Sequence, residues 1–204
     1  MKVKDPFKDF ISLDVKETIW EHFYTVAPLV VIGSKEGDGF DLAPKHMATP
    51  LGFSDFFGFV CTPRHKTYQN IRKQQRFSVS FVKPDQVLLS SLAAMPRCAV
   101  KDFTKEITNE IPTVAGTKGE SIFVKDSYVM LDCILHKIID GFDDYSLISG
   151  RIVGALVHKD YKVVSDEGHQ KQIYDHPLLA YIAQGRFASI KETLSYPFPK
   201  DFQR

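Results

Sequence analysis

The chain has 204 residues, of which 44% are hydrophobic, and it carries 26 lysine and arginine residues against 25 aspartate and glutamate residues. A chain of this length can bury roughly 70% of the surface that it exposes when unfolded, so the composition predicts one globular domain over residues 1–204. The balanced charge provides no net field to hold a polyanion, which argues against nucleic acid as a partner.

The cysteines and the amino terminus indicate the compartment. Cys61, Cys98 and Cys133 are odd in number and widely separated, which fits neither a disulfide framework nor a paired-cysteine metal site. Residues 1–10 lack the apolar core of a signal peptide, and no apolar run approaches the roughly 18 residues needed to span a bilayer. We therefore expect reduced, packed thiols, no membrane segment and a cytoplasmic location.

The amino-terminal part, residues 1–27, is predicted to be a helical lead-in to the domain. Ser12 or Asp14 is available to cap a short helix over residues 14–23. Four apolar side chains follow at near-helical spacing: Val15, Ile19, Trp20 and Phe23. We expect the aromatic side chains of this helix to pack against the rest of the domain.

Several strands are predicted between residues 28 and 160. The β-branched run at 29–32, followed by glycines at 37 and 39, predicts a first hairpin. Residues 56–61 are almost wholly apolar, as in a strand buried on both faces. Residues 77–81 alternate apolar side chains with Ser78 and Ser80, as in a half-buried strand. Two longer strands are predicted at 128–139 and 147–157, the second with Gly150 and Gly154 where a barrel would bend or bulge.

Helices are few in the remaining pattern. Only residues 67–75 and 86–95 favour helix, and residues 102–118 are expected to form an excursion outside the sheet. Residues 161–204 are expected to form a tail that packs on the barrel or on a partner subunit. Many strands with few, scattered helices predict a closed or partly closed antiparallel barrel.

Common catalytic signatures are missing from the sequence. The chain has no GxGxxG, no P-loop pattern, no HExxH, no GxSxG and no paired-cysteine zinc signature. The histidines at 158, 169 and 176 match no usual metal spacing, so no metal site is expected.

The segment after the apolar strand, residues 62–71, is typical of a phosphate site. Arg64, His65 and Lys66 place positive charge at the start of a predicted helix, which Thr67 could cap. The first backbone N–H groups of a helix, together with an arginine fork, suit a phosphate monoester. The alternative is a solvated basic helix start with an ordinary cap.

Residues 40–50 carry the second candidate site. Here a strand is expected to run into irregular backbone between Pro44 and Pro50. Unpaired backbone groups can bind the edge of a flat heteroaromatic ring, and Lys45 or His46 would place positive charge beside an anionic reduced ring. The alternative is a bulged surface connection.

The order of short segments adds a family resemblance. These are PLVVI at 28–32, GDG at 37–39, DLAP at 41–44, FVC at 59–61, KTYQNI at 66–71 and RFSVS at 76–80, and then LDC at 131–133, ISGRIV at 148–153, PLL at 177–179 and GRF at 185–187. Together they resemble the flavin reductase-like FMN-binding split-barrel family. The resemblance extends from about residue 28 to residue 199.

The resemblance implies a mainly β fold, an antiparallel Greek-key split β-barrel with a few short peripheral helices. It also implies a homodimer that holds FMN, or FAD, at or near the subunit interface, with NADH or NADPH as a possible electron donor. The ring would lie along one set of residues: Leu42, Ala43, Pro44, Lys45, His46 and Met47. The phosphate would lie along another: Thr62, Arg64, His65, Lys66 and Thr67.

Two departures from the family pattern accompany the resemblance. Asp41 stands where family members often have Asn, and Tyr145 stands where many NAD(P)H-dependent members have a histidine associated with the nicotinamide. The leading hypothesis is a flavin-dependent oxidoreductase in which the cofactor carries the reaction, so no general acid or base is assigned. The alternatives are a flavin-binding electron carrier or sensor, and a barrel that binds another phosphorylated planar ligand such as pyridoxal phosphate.

Overall fold

The computed structural model describes residues 6–94, 107–116, 120–163, 168–183 and 185–195. The strands of this part of the chain are β1 (Ala27–Pro28), β2 (Val30–Glu36), β3 (Gly39–Lys45), β4 (Ala48–Pro50), β5 (Phe56–Cys61), β6 (Arg76–Phe81), β7 (Thr113–Ala115), β8 (Ile122–Val124), β9 (Val129–Phe142), β10 (Tyr145–Val157), β11 (Leu178–Ala183) and β12 (Arg186–Ile190). The helices are α1 (Lys66–Gln74), α2 (Val87–Leu92), α3 (Ile107–Glu110) and α4 (His169–Asp175), with 3-10 turns at Ile19–Glu21, Pro84–Gln86 and Lys159–Tyr161. In the described ranges no helix is both long and apolar enough to cross a bilayer.

The main sheet has seven antiparallel strands in the order β3-β2-β6-β9-β10-β5-β4. Its two edge strands, β3 and β4, are consecutive in the chain and are joined by His46 and Met47 alone. Because two residues cannot cross an open sheet, the sheet must curl until its edges meet. The expectation of a mainly β, antiparallel split barrel is therefore confirmed.

The core lies on both faces of β2. Val30 and Ile32 point into the barrel, where they join a buried cluster with the aromatic side chains of β5 and β6. Leu29 and Val31 point the other way, into a second buried cluster with residues of α2, β8 and β11. A strand covered on both faces reads as a continuous apolar run, which explains the sequence of this segment.

The predicted strands are found where the pattern placed them, with one correction on β6. Ser78 and Ser80 were expected to face solvent, but both are buried. Ser78 Oγ donates to the carbonyl of Ile122, and Ser80 Oγ accepts a 3.0 Å bond from the backbone N–H of Val124. The half-buried prediction is wrong because β8 lies over this face, and its backbone supplies the partners that the buried hydroxyls need.

The β9–β10 hairpin confirms the role predicted for two glycines. Its register shifts between Ser149 and Gly150, and again between Ile152 and Gly154. A Cβ at Gly150 would lie 2.5 Å from Cε1 of Phe77, so only glycine lets the two strands approach at this point.

The predicted amino-terminal helix is wrong. Residues 14–23 contain only the 3-10 turn Ile19–Glu21. Trp20 packs on Phe23 with ring centroids 5.7 Å apart, but its side chain is 61% exposed instead of buried against the barrel. A short amphipathic helix depends on a surface that covers its apolar face. Among the described residues, most apolar side chains of this segment stay exposed instead.

The other segments follow the sequence more closely. The helix predicted at 67–75 is α1, and the one predicted at 86–95 is α2 with a preceding 3-10 turn, although residue 95 lies outside the described residues. Of the excursion at 102–118, residues 107–116 form α3 and β7, and the rest is not described. In the carboxy-terminal part, β11 pairs with β1 and β12, and its Leu179 is buried in the second core cluster. Helix α4 was not predicted.

Candidate functional site

The two predicted binding segments lie where the edges of the sheet meet. Residues 42–45 belong to the edge strand β3, so the irregular backbone expected there begins only at His46. The carbonyl of Met47 then accepts a 2.9 Å bond from the N–H of Val60, which fixes this turn on β5. Strand β5 continues into Thr62 and the turn that starts α1. The structure thus makes the two segments neighbours, as a shared ligand requires.

A buried hydrogen bond links the two segments directly. Thr67 Oγ1 donates to Asp41 Oδ2 over 3.0 Å, and the two residues are only 3% and 2% exposed. This contact corrects the predicted helix cap. The N-cap of α1 is His65, the Thr67 hydroxyl binds β3 instead of the helix start, and no side-chain cap bond is found among the described residues.

Lys45 extends from β3 towards the end of β5. Its positive charge acts on the Cys61 thiol. Burial raises the pKa of Cys61, and the charge of Lys45 only partly opposes that rise, so the thiol stays protonated at neutral pH. Cys61 and Cys133 are both free and buried, in keeping with the packed thiols expected, while Cys98 lies outside the described residues.

His46 contacts the carboxy-terminal sheet instead of projecting freely. Its imidazole stacks on the ring of Tyr181 in β11, with centroids 4.2 Å apart and planes 24° apart. Burial, helped by the nearby charge of Lys45, lowers the pKa of His46 below its ordinary value of 6.5. His46 is therefore neutral at neutral pH, and of the two residues expected to supply positive charge here only Lys45 does so.

Arg64 lies at the exposed entrance of the second segment. Its guanidinium donates to Oδ2 of Asp144 over 2.7 Å, and both side chains are largely exposed. Asp144 belongs to the turn of the β9–β10 hairpin and directly precedes Tyr145. The ion pair brings the hairpin turn, and with it Tyr145, next to the predicted phosphate segment.

The family model described as "Flavin reductase like domain" matches residues 23–187. The chain belongs to the flavin reductase-like family. No curated protein sequence matches the chain.

Solved structures show the same fold at low sequence identity. An FMN-binding protein of Thermus thermophilus with bound p-hydroxybenzaldehyde is similar with a TM-score of 0.73 at 20% identity, over 92% of this chain and 99% of the other. The 2-nitrobenzoate 2-nitroreductase of Pseudomonas fluorescens gives 0.75 at 15%, over 95% and 99%. An NADH:FAD oxidoreductase of Streptomyces globisporus gives 0.67 at 14%, over 87% and 96%. Membership of the flavin reductase-like family supports a flavin-related redox function, of the oxidoreductase kind.

The residues present fit a flavin phosphate at the start of α1. The hydroxyl of Thr62 is buried and has no hydrogen-bond partner among the described residues, which is costly unless a ligand or water binds it. In the described structure no side chain caps the start of α1. The positive end of the helix dipole is therefore available to a bound anion. Arg64 and Lys66 add two cations at the same place.

At the ring end, the fit rests on strand position and charge. Strand β3 is an edge of the sheet, and an edge strand leaves alternate backbone groups without a neighbouring strand. Ala43 is buried, whereas Pro44 and Lys45 are half-buried and Met47 is exposed. Flat polar ligands can bind such an edge through backbone contacts.

Some features of the site have no signal in the sequence. The His46–Tyr181 stack and the Arg64–Asp144 pair join residues far apart in the chain, and neither partner was predicted as a site residue. Tyr68 of α1 likewise donates to Asp140 Oδ1 over 3.1 Å and so anchors α1 on β9. Across the described ranges no group of three or more metal-ligating side chains is found.

Proposed function

We propose that this member of the flavin reductase-like family is an FMN-binding oxidoreductase that takes electrons from NADH or NADPH and passes them to an acceptor. The Thr67–Asp41 hydrogen bond carries the proposal, because it holds the phosphate segment against the ring segment. Bound flavin supplies the redox chemistry, since it accepts a hydride and gives up electrons. The chain binds the flavin, orients it and sets the charge around it.

The phosphate end is assigned to the turn at residues 62–67. Arg64 and Lys66 supply charge-assisted hydrogen bonds, and Thr62 supplies a hydroxyl that otherwise lacks a partner in the described structure. A terminal phosphate monoester, as in FMN, carries close to two negative charges and matches these two cations. FAD is the second choice. Arg64 lies at an exposed entrance, so the longer diphosphate of FAD could extend past it out of the site.

The ring end is assigned to residues 42–47 of β3 and the turn that follows it. Lys45 holds a positive charge there, and this charge favours electron uptake by a ring that becomes anionic. His46, neutral and stacked on Tyr181, acts as a wall of the site instead of a second cation.

The absorption spectrum of the purified protein tests flavin binding. The proposal expects a yellow protein, or, for protein purified without flavin, quenching of FMN fluorescence at micromolar concentration. Parallel titrations with FAD and riboflavin separate phosphate recognition from ring recognition. A colourless protein that leaves FMN fluorescence unquenched contradicts the proposal, and an absorption band of the pyridoxal phosphate type would favour that ligand instead.

A second candidate function is that of a flavin-binding electron carrier or sensor without its own turnover. It is favoured by Tyr145, which lies beside the Arg64–Asp144 pair where many NAD(P)H-dependent relatives have histidine. Anaerobic mixing separates the two functions. Rapid bleaching of the flavin band by NADH or NADPH supports the reductase, and reduction by dithionite alone supports the carrier.

We also propose a homodimer in the cytoplasm. Large apolar side chains remain exposed on one chain, which is typical of a surface that binds another protein. The buried, unpaired thiols of Cys61 and Cys133 suit a reducing compartment. Sedimentation velocity tests the dimer, and fractionation of the source cells tests the location.

A further inference from the structure

The amino-terminal arm, defined as residues 6–26, exposes an unusual amount of apolar surface. Seven of its large side chains are between 61% (Trp20) and 89% (Ile11) exposed: Phe7, Phe10, Ile11, Val15, Trp20, Tyr24 and Val26. Single exposed apolar residues are common, but this many large apolar side chains exposed in one short segment are typical of an interaction site.

The contacts described for the arm hold its own turns together. Phe10 N–H donates to the carbonyl of Phe7 over 2.9 Å, and His22 N–H donates to that of Ile19 over 3.1 Å. The ring contacts, Phe7 with Phe10 and Trp20 with Phe23, also lie within the arm. The arm is thus shaped by local contacts, and most of its apolar side chains are exposed.

A groove of about 500 Å³ lies elsewhere on the same chain. It is formed by β7 and by the adjoining ends of β9 and β10, and its apolar wall consists of Val114, Met130, Leu156 and Val157. Leu156 is 62% exposed, and Val114 and Val157 are also exposed. Within the described residues, both the arm and the groove are therefore exposed on one chain, and no arm residue lines the groove.

We propose that the amino-terminal arm of one copy docks in the β7–β10 groove of a second copy, and that the second arm docks reciprocally in the first. This inference rests on the proposed homodimer and names the surfaces that form it. An isologous pair with two identical contacts closes on itself, so both arms and both grooves are covered without further assembly.

The apolar area and the charge of the arm support a second copy of the chain as its partner. Aromatic side chains bury about 150–250 Å² each, so the arm offers on the order of 1,000 Å² of apolar surface, near the ~800 Å² per partner of a standard interface. The arm contains two lysines against four acidic residues. This negative balance opposes binding to an anionic lipid surface, which would be the main alternative for an exposed apolar segment.

The only tryptophan of the chain lies in the arm and reports directly on docking. Trp20 emission and sedimentation mass are measured on the full chain over a range of concentrations, at one fixed flavin occupancy. We expect the emission to shift to shorter wavelength in parallel with dimer formation. For a dimer that persists at every accessible concentration, we expect short-wavelength emission throughout.

Two matched variants test the groove. Leu156→Asp places a charge in the apolar wall, and Leu88→Asp makes the same change at a 68% exposed leucine on α2, outside the arm and the groove. We expect Leu156→Asp to raise the dimer dissociation constant by roughly tenfold or more and to return Trp20 emission to that of an exposed indole. We expect Leu88→Asp to change neither quantity.

Each other outcome overturns a defined part of the proposal. A dimer whose Trp20 emission stays that of an exposed indole overturns arm docking and leaves the dimer intact. Short-wavelength emission in a monomer shows docking within one chain. Equal effects of the two variants overturn the groove. FMN titration of the same samples reports separately on the proposed function.

Discussion

In the interior of the protein, the hydroxyl of Thr67 donates a 3.0 Å hydrogen bond to the carboxylate of Asp41. The bond joins the first turn of α1 to the edge strand β3. Both residues are almost completely buried, and the single hydroxyl proton of Thr67 is already donated to Asp41, so Thr67 has no proton left to donate to a phosphate. The bond instead fixes the distance between the two segments that the family resemblance assigns to the phosphate and to the ring. Thr67 is thus a positioning residue for the site.

Replacement of Thr67 tests this positioning role. Thr67→Val keeps the shape of the side chain but removes the donor, so Asp41 loses one bond in a buried environment. We expect the free energy of unfolding in urea to fall by about 1–3 kcal/mol and FMN affinity to fall with it. Thr67→Ser keeps the hydroxyl and should retain most of both quantities. Equal behaviour of the two variants would remove the role assigned to the bond.

Arg64 provides a test of phosphate recognition without loss of the fold. Because Arg64 and its partner Asp144 are exposed, Arg64→Ala should change the free energy of unfolding by less than about 0.5 kcal/mol. Loss of its bond to phosphate should weaken FMN binding by roughly tenfold and leave riboflavin binding unchanged. Arg72→Ala, at the exposed far end of α1, is the matched control. An equal loss for riboflavin would place Arg64 at the ring instead.

The state of His46 leads to a prediction about pH. Burial and the charge of Lys45 lower the pKa of His46 in the folded protein, whereas the unfolded chain retains a value near 6.5. The unfolded state therefore binds more protons just below pH 6.5, and stability falls as the pH falls through this window. NMR titration should give a midpoint for His46 below 6.5, and Lys45→Met should move it upwards. A midpoint at or above 6.5 in the unmodified protein would contradict this account.

Two glycines of β10 form a matched pair for a packing test. A Cβ at Gly150 would lie 2.5 Å from Cε1 of Phe77 and 3.0 Å from Cβ of Cys133, whereas one at Gly154 meets only Asp132 Cβ at 3.5 Å. Gly150→Ala should therefore lower the free energy of unfolding by about 1–3 kcal/mol, and Gly154→Ala by much less. Urea titration checks both. If the two variants unfold alike, the close approach at Gly150 is not limiting.

The strands of the barrel were predictable from local sequence. The apolar run at 56–61 and the glycine-rich turn at 37–39 appear as β5 and the β2–β3 hairpin. The glycines at 150 and 154 mark two of the three register shifts in the β9–β10 pairing. These features depend on neighbouring residues alone, namely side-chain alternation and the backbone freedom of glycine, so a single chain segment is enough to encode them.

Other features required the tertiary structure. The alternation at Ser78 and Ser80 predicts a solvent-facing side, but β8, more than 40 residues later in the chain, covers it. Thr67 has the sequence position of a helix cap, yet the proximity of Asp41 decides what its hydroxyl binds. The helix predicted at 14–23 has helical apolar spacing, but in the described structure most of its apolar side chains are exposed and only a 3-10 turn forms.

The sequence by itself therefore determined the barrel strands, the family resemblance and the two segments proposed to bind flavin. Only the tertiary structure decided that the segments meet, that His46 is neutral against Tyr181, and that Arg64 reaches Asp144. The physical reason is that backbone preference is a property of adjacent residues. Burial, hydrogen-bond partners and pKa are set by whatever part of the chain folds against a residue, and that part is distant in sequence.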